Sequence, residues 1–489
     1  MPKKLVLAVI DGLKPSALEK AVSTGRANTL GLLMERGTYV DGCVAAFPSV
    51  TPVCAAAIAT GTLQDRHHIP SMNWWWRDER RYVEYGSSFG ASRRLGIGNQ
   101  LVDTVYRMNM EHLSAETPTV FESLDDEGLR TAGTTYLMYR GRHEHNVSRD
   151  SALTRIAGTT LFRRPIKGPK ELFYADLYAS RKTGCRSQLG MPGIRDQHSG
   201  CVSAHLVEND LFDFLLLSLP DNDTHSHKFG PHAQVQSIHE ADHQIERVMH
   251  AGGGPDRFLE EHAVIVMADH SHAQVERSVD LFALFDGFDI TGPGGDKVAR
   301  PEDAEIAVCP AQRSAMVYVL EREGRAELLP RLIETALTEE GVDLVMHREE
   351  SVGVITSRRG ALTFAPGQEV RDVRGAEWVV RGNLDVLDAR VEDGRFLSET
   401  YPDALARVWA ALQCPTSGDL LLSAAPGQEF VDWGGADHVG GGSHGSLHRS
   451  DSLGALILTG VEGLEEREQW SIADIASQTL RHFQVASGG

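Results

Sequence analysis

Three short runs of aliphatic residues, Leu5 to Ile10, Asp213 to Leu219 and Ala263 to Met267, lack the polar alternation of a half-solvated strand. That pattern predicts strands buried on both faces of a parallel sheet. Each run delivers an aspartate at or just past its end: Asp11 after the first, Asp221 and Asp223 after the second, Asp269 after the third. Ligands of open α/β sheets bind outside the carboxyl ends of the strands, so the repetition marks a site as well as a fold.

Between these runs the apolar spacing lengthens to that of helices. Pro118 to Glu127 closes on Gly128, and His232 to His250 carries Val235, Ile238, Ile245, Val248 and Met249. The alternation predicts an α/β fold: a doubly wound, mostly parallel sheet with helices on both faces. From about Gly287 to Gly418 the pattern changes to charged, glycine-punctuated short elements, and buried-strand character returns at Leu453 to Thr459, with a helix from Ile472 to Phe483. The expected organisation is a core over residues 1–286 with a lid-like insertion at about 74–116, an inserted smaller α+β cap at 287–418, and a return to the core at 419–489.

At 489 residues, 41% hydrophobic and 24% charged, the chain is too apolar for disorder and long enough for a large core. Its 48 basic against 68 acidic residues leave a net charge of -20, which excludes duplex nucleic acid and an anionic membrane surface as broad electrostatic partners. A small anionic substrate then needs local positive charge, which a bound cation supplies. No apolar stretch approaches the roughly 18 to 20 residues of a membrane span, and Leu5 to Ile10 is too short for a secretory signal, so the expected location is the cytoplasm. Cys43, Cys54, Cys185, Cys201, Cys309 and Cys414 form no Cys-x-x-Cys pair, and free thiols are expected.

The chemistry gathers where the strands end. Asp223-Thr224-His225-Ser226-His227 and Asp269-His270-Ser271-His272 each follow a buried run, and Gly440-Gly441-Gly442-Ser443-His444-Gly445 adds an imidazole in a glycine-rich loop. Aspartate and histidine together suit zinc, manganese or iron. Phe47-Pro48-Ser49-Val50-Thr51-Pro52 places a hydroxyl ahead of an alanine-rich helix from Val53 to Thr60, whose positive dipole end would face an anion at Thr51. By residue type alone Thr51 is either a helix cap or a nucleophile.

Asp11 after the first strand, Phe-Pro-Ser-Val-Thr before a helix, the Asp223 to Pro231 run, Asp269-His270 and the late Gly-Ser-His-Gly resemble the alkaline phosphatase superfamily, in its type I phosphodiesterase/nucleotide pyrophosphatase branch. The resemblance covers the α/β core and not the inserted region. It implies one divalent metal held by Asp223, His227 and His444, and a second held by Asp11, Asp269, His270 and the Thr51 oxygen. Zinc is the usual ion and manganese an alternative. It further implies that Thr51 attacks phosphorus and that Asn73, in His68-Ile69-Pro70-Ser71-Met72-Asn73, holds a phosphoryl oxygen. The expected activity is hydrolysis of phosphodiester or pyrophosphate bonds of small, nucleotide-type phosphorylated substrates.

Several readings compete. A phosphonate hydrolase or phosphomonoesterase would use nearly the same centre, and an inactive metal- and nucleotide-binding protein would keep the ligands. A positive clamp on the third phosphoryl oxygen favours monoesters, with Arg77, Arg140 and Arg142 as candidates, whereas an apolar wall favours diesters. Trp74 and Trp75 are candidates for stacking on a flat leaving group, with core packing as the alternative. His67, His68, His272 and His438 are candidates for orienting the metal ligands. Gly441 to Gly445 also fits Gly-x-Ser-x-Gly, in which Ser443 would attack an ester, but loop sequence precedes it where that motif needs a strand. No Cys-x-Pro-x-Arg or Ser-x-Pro-x-Arg occupies the nucleophile position, which disfavours sulfatase chemistry.

Overall fold

A computed structural model describes residues 2–147, 161–162, 164–174, 177–186, 195–292 and 299–486. Five parallel strands form the middle of an eight-stranded sheet, in the order His262–Met267, Lys4–Ile10, Phe214–Leu219, Thr131–Thr134 and Glu171–Tyr174. Antiparallel strands finish both sides: Leu453–Thr459 and then Thr38–Val44 beyond His262–Met267, and Tyr178–Ala179 beyond Glu171–Tyr174. Ile10 lies opposite Leu219 and Val9 opposite Met267, so the segments that follow leave the sheet at one edge.

Alternate residues of the central strands enter two different cores, as a period of two requires. Val6, Ala8, Ile10, Leu215 and Leu217 pack with the helices Pro15–Ser23, Asn28–Arg36, Arg195–Glu208 and Gln234–Ala251. Leu5, Leu7, Val9, Phe214 and Leu216 pack on the other side with the helices Thr51–Thr60, Val120–Asp126 and Asp474–His482. The sheet is therefore covered on both faces, a doubly wound α/β fold.

A second, ten-stranded sheet is built mainly from antiparallel pairs between Ile290–Thr291 and Leu420–Ala424. Leu420–Ala424 pairs with Ser314–Val319 and Val342–Glu349 in the middle of this sheet. The apolar run there suits a buried strand of either sheet, so the sequence pattern does not assign it. The same core that takes Leu5, Leu7 and Val9 also takes Cys309, Met316, Leu344 and Leu421, so the two sheets share one apolar interior.

Residues expected to form a lid start with a hairpin, Asn73–Trp76 against Arg81–Glu84, followed by the helical segments Phe89–Leu95, Ile97–Val102 and Asp103–His112. The expectation of free thiols throughout is corrected: Cys185 and Cys201 form a disulfide, while Cys43, Cys54, Cys309 and Cys414 are free and buried. The fold brings Cys201, on the helix Arg195–Glu208, against a cysteine 16 positions earlier, a pairing that motif spacing does not reveal. Among the described residues no helix is long and apolar enough to cross a membrane.

Candidate metal centre

The three strand-end segments and the late glycine-rich loop converge on a cavity of about 470 Å³. Asp11 follows the strand Lys4–Ile10 directly, and Asp269 and His270 follow His262–Met267. Asp223 and His227 stand one turn apart on the helix Asp221–Phe229, which starts where Phe214–Leu219 stops, so both side chains fall on one helix face.

Asp223 is the centre of the first donor group. Its Oδ1 lies 2.8 Å from His272 Nε2, 3.2 Å from His227 Nε2 and 3.4 Å from His444 Nε2. In the second group, His270 Nε2 lies 3.4 Å from Asp11 Oδ1, 3.4 Å from Asp269 Oδ2 and 3.3 Å from Thr51 Oγ1. Backbone carbonyls orient three of the rings: His227 Nδ1 meets Gly442 O at 2.8 Å, His444 Nδ1 meets Ser49 O at 2.8 Å, and His270 Nδ1 meets Ser271 O at 3.1 Å. With Nδ1 donating to a carbonyl, each Nε2 lone pair points inward, the tautomer a metal ligand needs.

The electrostatics favour a cation. Burial raises the Asp11 carboxyl above its ordinary range, and the charges of Asp269 and Asp223 raise it further. Burial also pushes Asp269 up to about 6. For Asp223 burial works in the same direction, but His227, His272 and His444 outweigh it and hold the carboxyl well below the usual range. Burial lowers His270 and His272, which keeps both imidazoles neutral. Asp11 Oδ1 and His444 Nε2 are buried without a hydrogen-bond partner among the described residues. Buried polar atoms in that condition call for an explanation; donor atoms of Asp223, His227, His272 and His444 lie within 4.8 Å of one another, as do those of Asp11, Asp223 and His270, and each set fits a divalent ion, with Asp223 standing between the two.

Thr51 is the first residue of its helix, not the cap, which is Val50; its hydroxyl faces His270 and the cavity. His272 is drawn into the first donor group itself, where the sequence suggested an orienting partner. Its Nε2 reaches Asp223 because Gly12, with φ +68°, leaves the space its ring occupies.

Other sequence-derived candidates lie elsewhere. Asn73 is buried with Nδ2 donating to Pro310 O at 2.6 Å, and Met72 lines the cavity in its place. Trp74 and Trp75 are packed in the core, Trp74 edge-on to His112 and Trp75 edge-on to Tyr82, and neither lines the cavity. The stacking expectation is therefore replaced by the packing one. Arg77 pairs with Asp419, Arg140 with Glu122, and Arg142 with Asp126, so none of the three forms the clamp. Ser443 donates to Glu429 Oε1 at 2.6 Å, the oxygen that also takes the His438 ring, so the serine bonds a carboxylate and not the imidazole of an esterase triad.

Arg195, at the head of the helix Arg195–Glu208, lines the cavity. It was missed because nothing in its local sequence separates it from other surface arginines. Tyr85, Tyr136, Leu137 and Tyr174 also line the cavity, supplied by the ends of the hairpin and of the outer parallel strands.

Solved structures share this architecture. Phosphonoacetate hydrolase from Sinorhizobium meliloti 1021 in complex with phosphonoformate matches with a TM-score of 0.58 at 16% identity, over 100% of this chain and 96% of that one. The same hydrolase in complex with phosphonoacetate gives 0.59 at 15% identity over the same shares. None of the curated proteins compared matches the sequence significantly. The model of the type I phosphodiesterase / nucleotide pyrophosphatase family matches residues 5–447. The chain belongs to the type I phosphodiesterase / nucleotide pyrophosphatase family, and is a phosphoric-ester hydrolase.

Proposed function

We propose that this protein hydrolyses phosphodiester or pyrophosphate bonds of small, nucleotide-type substrates, with Thr51 as nucleophile beside two divalent metals, zinc in the first instance. The observation that carries the reading is the position of the Thr51 hydroxyl, 3.3 Å from His270 Nε2, at a cavity also lined by the carboxylates of Asp11, Asp223 and Asp269. Asp223, His227, His272 and His444 would hold one ion, and Asp11, Asp269, His270 and Thr51 the other. Two such ions supply positive charge for the attacking and leaving oxygens of an in-line displacement.

The chain's own groups account for the rest. The hydroxyl of Thr51 attacks phosphorus, the bond to the leaving oxygen breaks, and a phosphothreonine forms that water then hydrolyses. The helix Thr51–Thr60 turns its positive end toward the phosphoryl group. Ala55, Met72 and Tyr85 make that flank of the cavity largely apolar, and Arg77, Arg140 and Arg142 are engaged elsewhere. Such a wall suits an esterified phosphoryl oxygen better than a charged one, which supports diesters over monoesters. Phosphonate hydrolysis is the second reading, supported by the likeness in fold to phosphonoacetate hydrolase.

The test combines elemental analysis with hydrolysis of a nitrophenyl phosphodiester, a monoester and a phosphonate, before and after chelation and after return of zinc or manganese. About two metals per chain and a chelator-sensitive preference for the diester are expected. A preference for the phosphonate would install the second reading, and full activity in the metal-free protein would remove the centre proposed here.

A further inference from the structure

The cavity is longer than the metal centre, and one fixed cation stands where the two parts meet. The candidate ligands follow three neighbouring strands, His262–Met267, Lys4–Ile10 and Phe214–Leu219. The cavity continues past the next two, Thr131–Thr134 and Glu171–Tyr174, where Thr135, Tyr136, Leu137 and Tyr174 line it. Strands lie about 5 Å apart, so this outer part reaches roughly 5 to 10 Å beyond Asp223. A bare phosphoryl group does not span that distance.

Arg195 carries the sole guanidinium or ammonium group among the described residues that line the cavity. Its placement is determined by the turn that also carries Asp223. Nε donates to Asp221 Oδ1 at 3.0 Å, and Nη2 donates to Thr224 Oγ1 at 2.5 Å and to Pro220 O at 3.4 Å. Asp196 and Asp221 lock the two segments together, each backbone N–H donating to the other's carboxylate at 3.0 Å. These contacts leave Nη1 without a partner among the described residues. A guanidinium held on one edge and open on another is suited to receive a carboxylate or phosphate oxygen.

The geometry points to Arg195 as the residue that selects substrates carrying a second anionic group next to the scissile phosphoryl. The cavity would then read three features in order: the reacting phosphoryl at Asp223 and Asp11, a second carboxylate or phosphate at Arg195, and an uncharged group against Tyr136, Leu137 and Tyr174. This inference rests on the proposed phosphoryl chemistry for the position of the first group.

Calorimetric titration of the metal-loaded protein tests it with three probes: methylphosphonate, with no second anion, phosphonoformate, with a carboxylate, and methylenediphosphonate, with a second phosphonate. The wild type is expected to prefer the two-anion probes by at least about tenfold, the discrimination of one charge-assisted contact. Arg195→Gln should lower that preference about tenfold, and Arg195→Lys should restore part of it as a point charge without the fork. The better of the two two-anion probes identifies the second group as carboxylate or phosphate. Metal content and circular dichroism of Arg195→Gln show whether the Asp223 turn is intact, and Arg195→Lys reports if it is not. An unchanged preference in both variants overturns the inference, as does a loss equal for all three probes. Binding is read without turnover, so an Arg195-dependent preference in a protein that hydrolyses nothing would sink the hydrolase reading and keep this one.

Discussion

At the residue scale, the site rests on side chains whose partners are chosen by distance. Thr51 carries a hydroxyl that neither caps its helix nor bonds a carbonyl, and it faces His270. Thr51→Ala should therefore reduce turnover of a nitrophenyl diester by at least about a thousandfold, since the oxygen that bonds phosphorus is lost. Metal content by elemental analysis should stay near the wild-type value, because Asp11, Asp269 and His270 remain. Activity within tenfold of wild type would reject Thr51 as nucleophile. The ligand-type residues were legible in the sequence because Asp and His in short spacings after buried runs are a local pattern. Asn73 and Arg195 were not: the Asn73 amide is taken by the carbonyl of Pro310, far along the chain, and Arg195 gains its meaning from Thr224 and Asp221.

At the element scale, turns set the precision of the centre. Gly12 has φ +68°, and a Cβ there would lie 2.5 Å from the His272 ring. Gly12→Ala should cost about 1 to 2 kcal/mol through the backbone alone, and by displacing His272 should weaken metal retention on the order of tenfold, read as metal per chain after dialysis. Gly128→Ala is the control: φ is +79° with nothing within 4 Å, so it should lose comparable stability and no metal. The hairpin end offers a pH test. Glu84 is fully buried, its Oε1 accepts from Gly86 N at 2.8 Å and Ser87 N at 2.5 Å, and its Oε2 has no hydrogen-bond partner among the described residues. Burial pushes this carboxyl up to about 7 from an ordinary 4.5. Between those values the folded chain holds the proton more tightly than the unfolded chain, so this group's stability is present below about 4.5 and is lost as pH rises through about 7. The slope is at most about 1.4 kcal/mol per pH unit. Denaturant unfolding at pH 5.5 and 8 should show a smaller difference between the two pH values in Glu84→Gln than in wild type. An equal difference in both would show that Glu84 does not carry the linkage.

For the whole molecule, one interior joins the two sheets, and Arg407 is its polar bolt. From the helix Ala404–Gln413 its buried guanidinium donates to Ala46 O at 3.1 Å, Leu447 O at 3.1 Å, Pro402 O at 3.0 Å and Ser452 Oγ at 2.7 Å. Arg407→Met leaves those acceptors buried without this donor and should cost about 3 to 5 kcal/mol. Unfolding followed by fluorescence and by circular dichroism should stay a single coincident transition, shifted to lower denaturant. Two separated transitions in the wild type would show that the sheets fold independently. The run of apolar residues determined by itself that this chain builds a doubly wound sheet, and the residues after each run determined which groups gather at its edge, because strand burial and strand ends are written locally. Tertiary structure alone decided that Leu420–Ala424 joins the second sheet, that Cys185 meets Cys201, that His272 enters the donor group and that Arg195 faces the cavity. Each of those depends on segments far apart in the chain and on which neighbour a side chain meets, and no local pattern of residues encodes that.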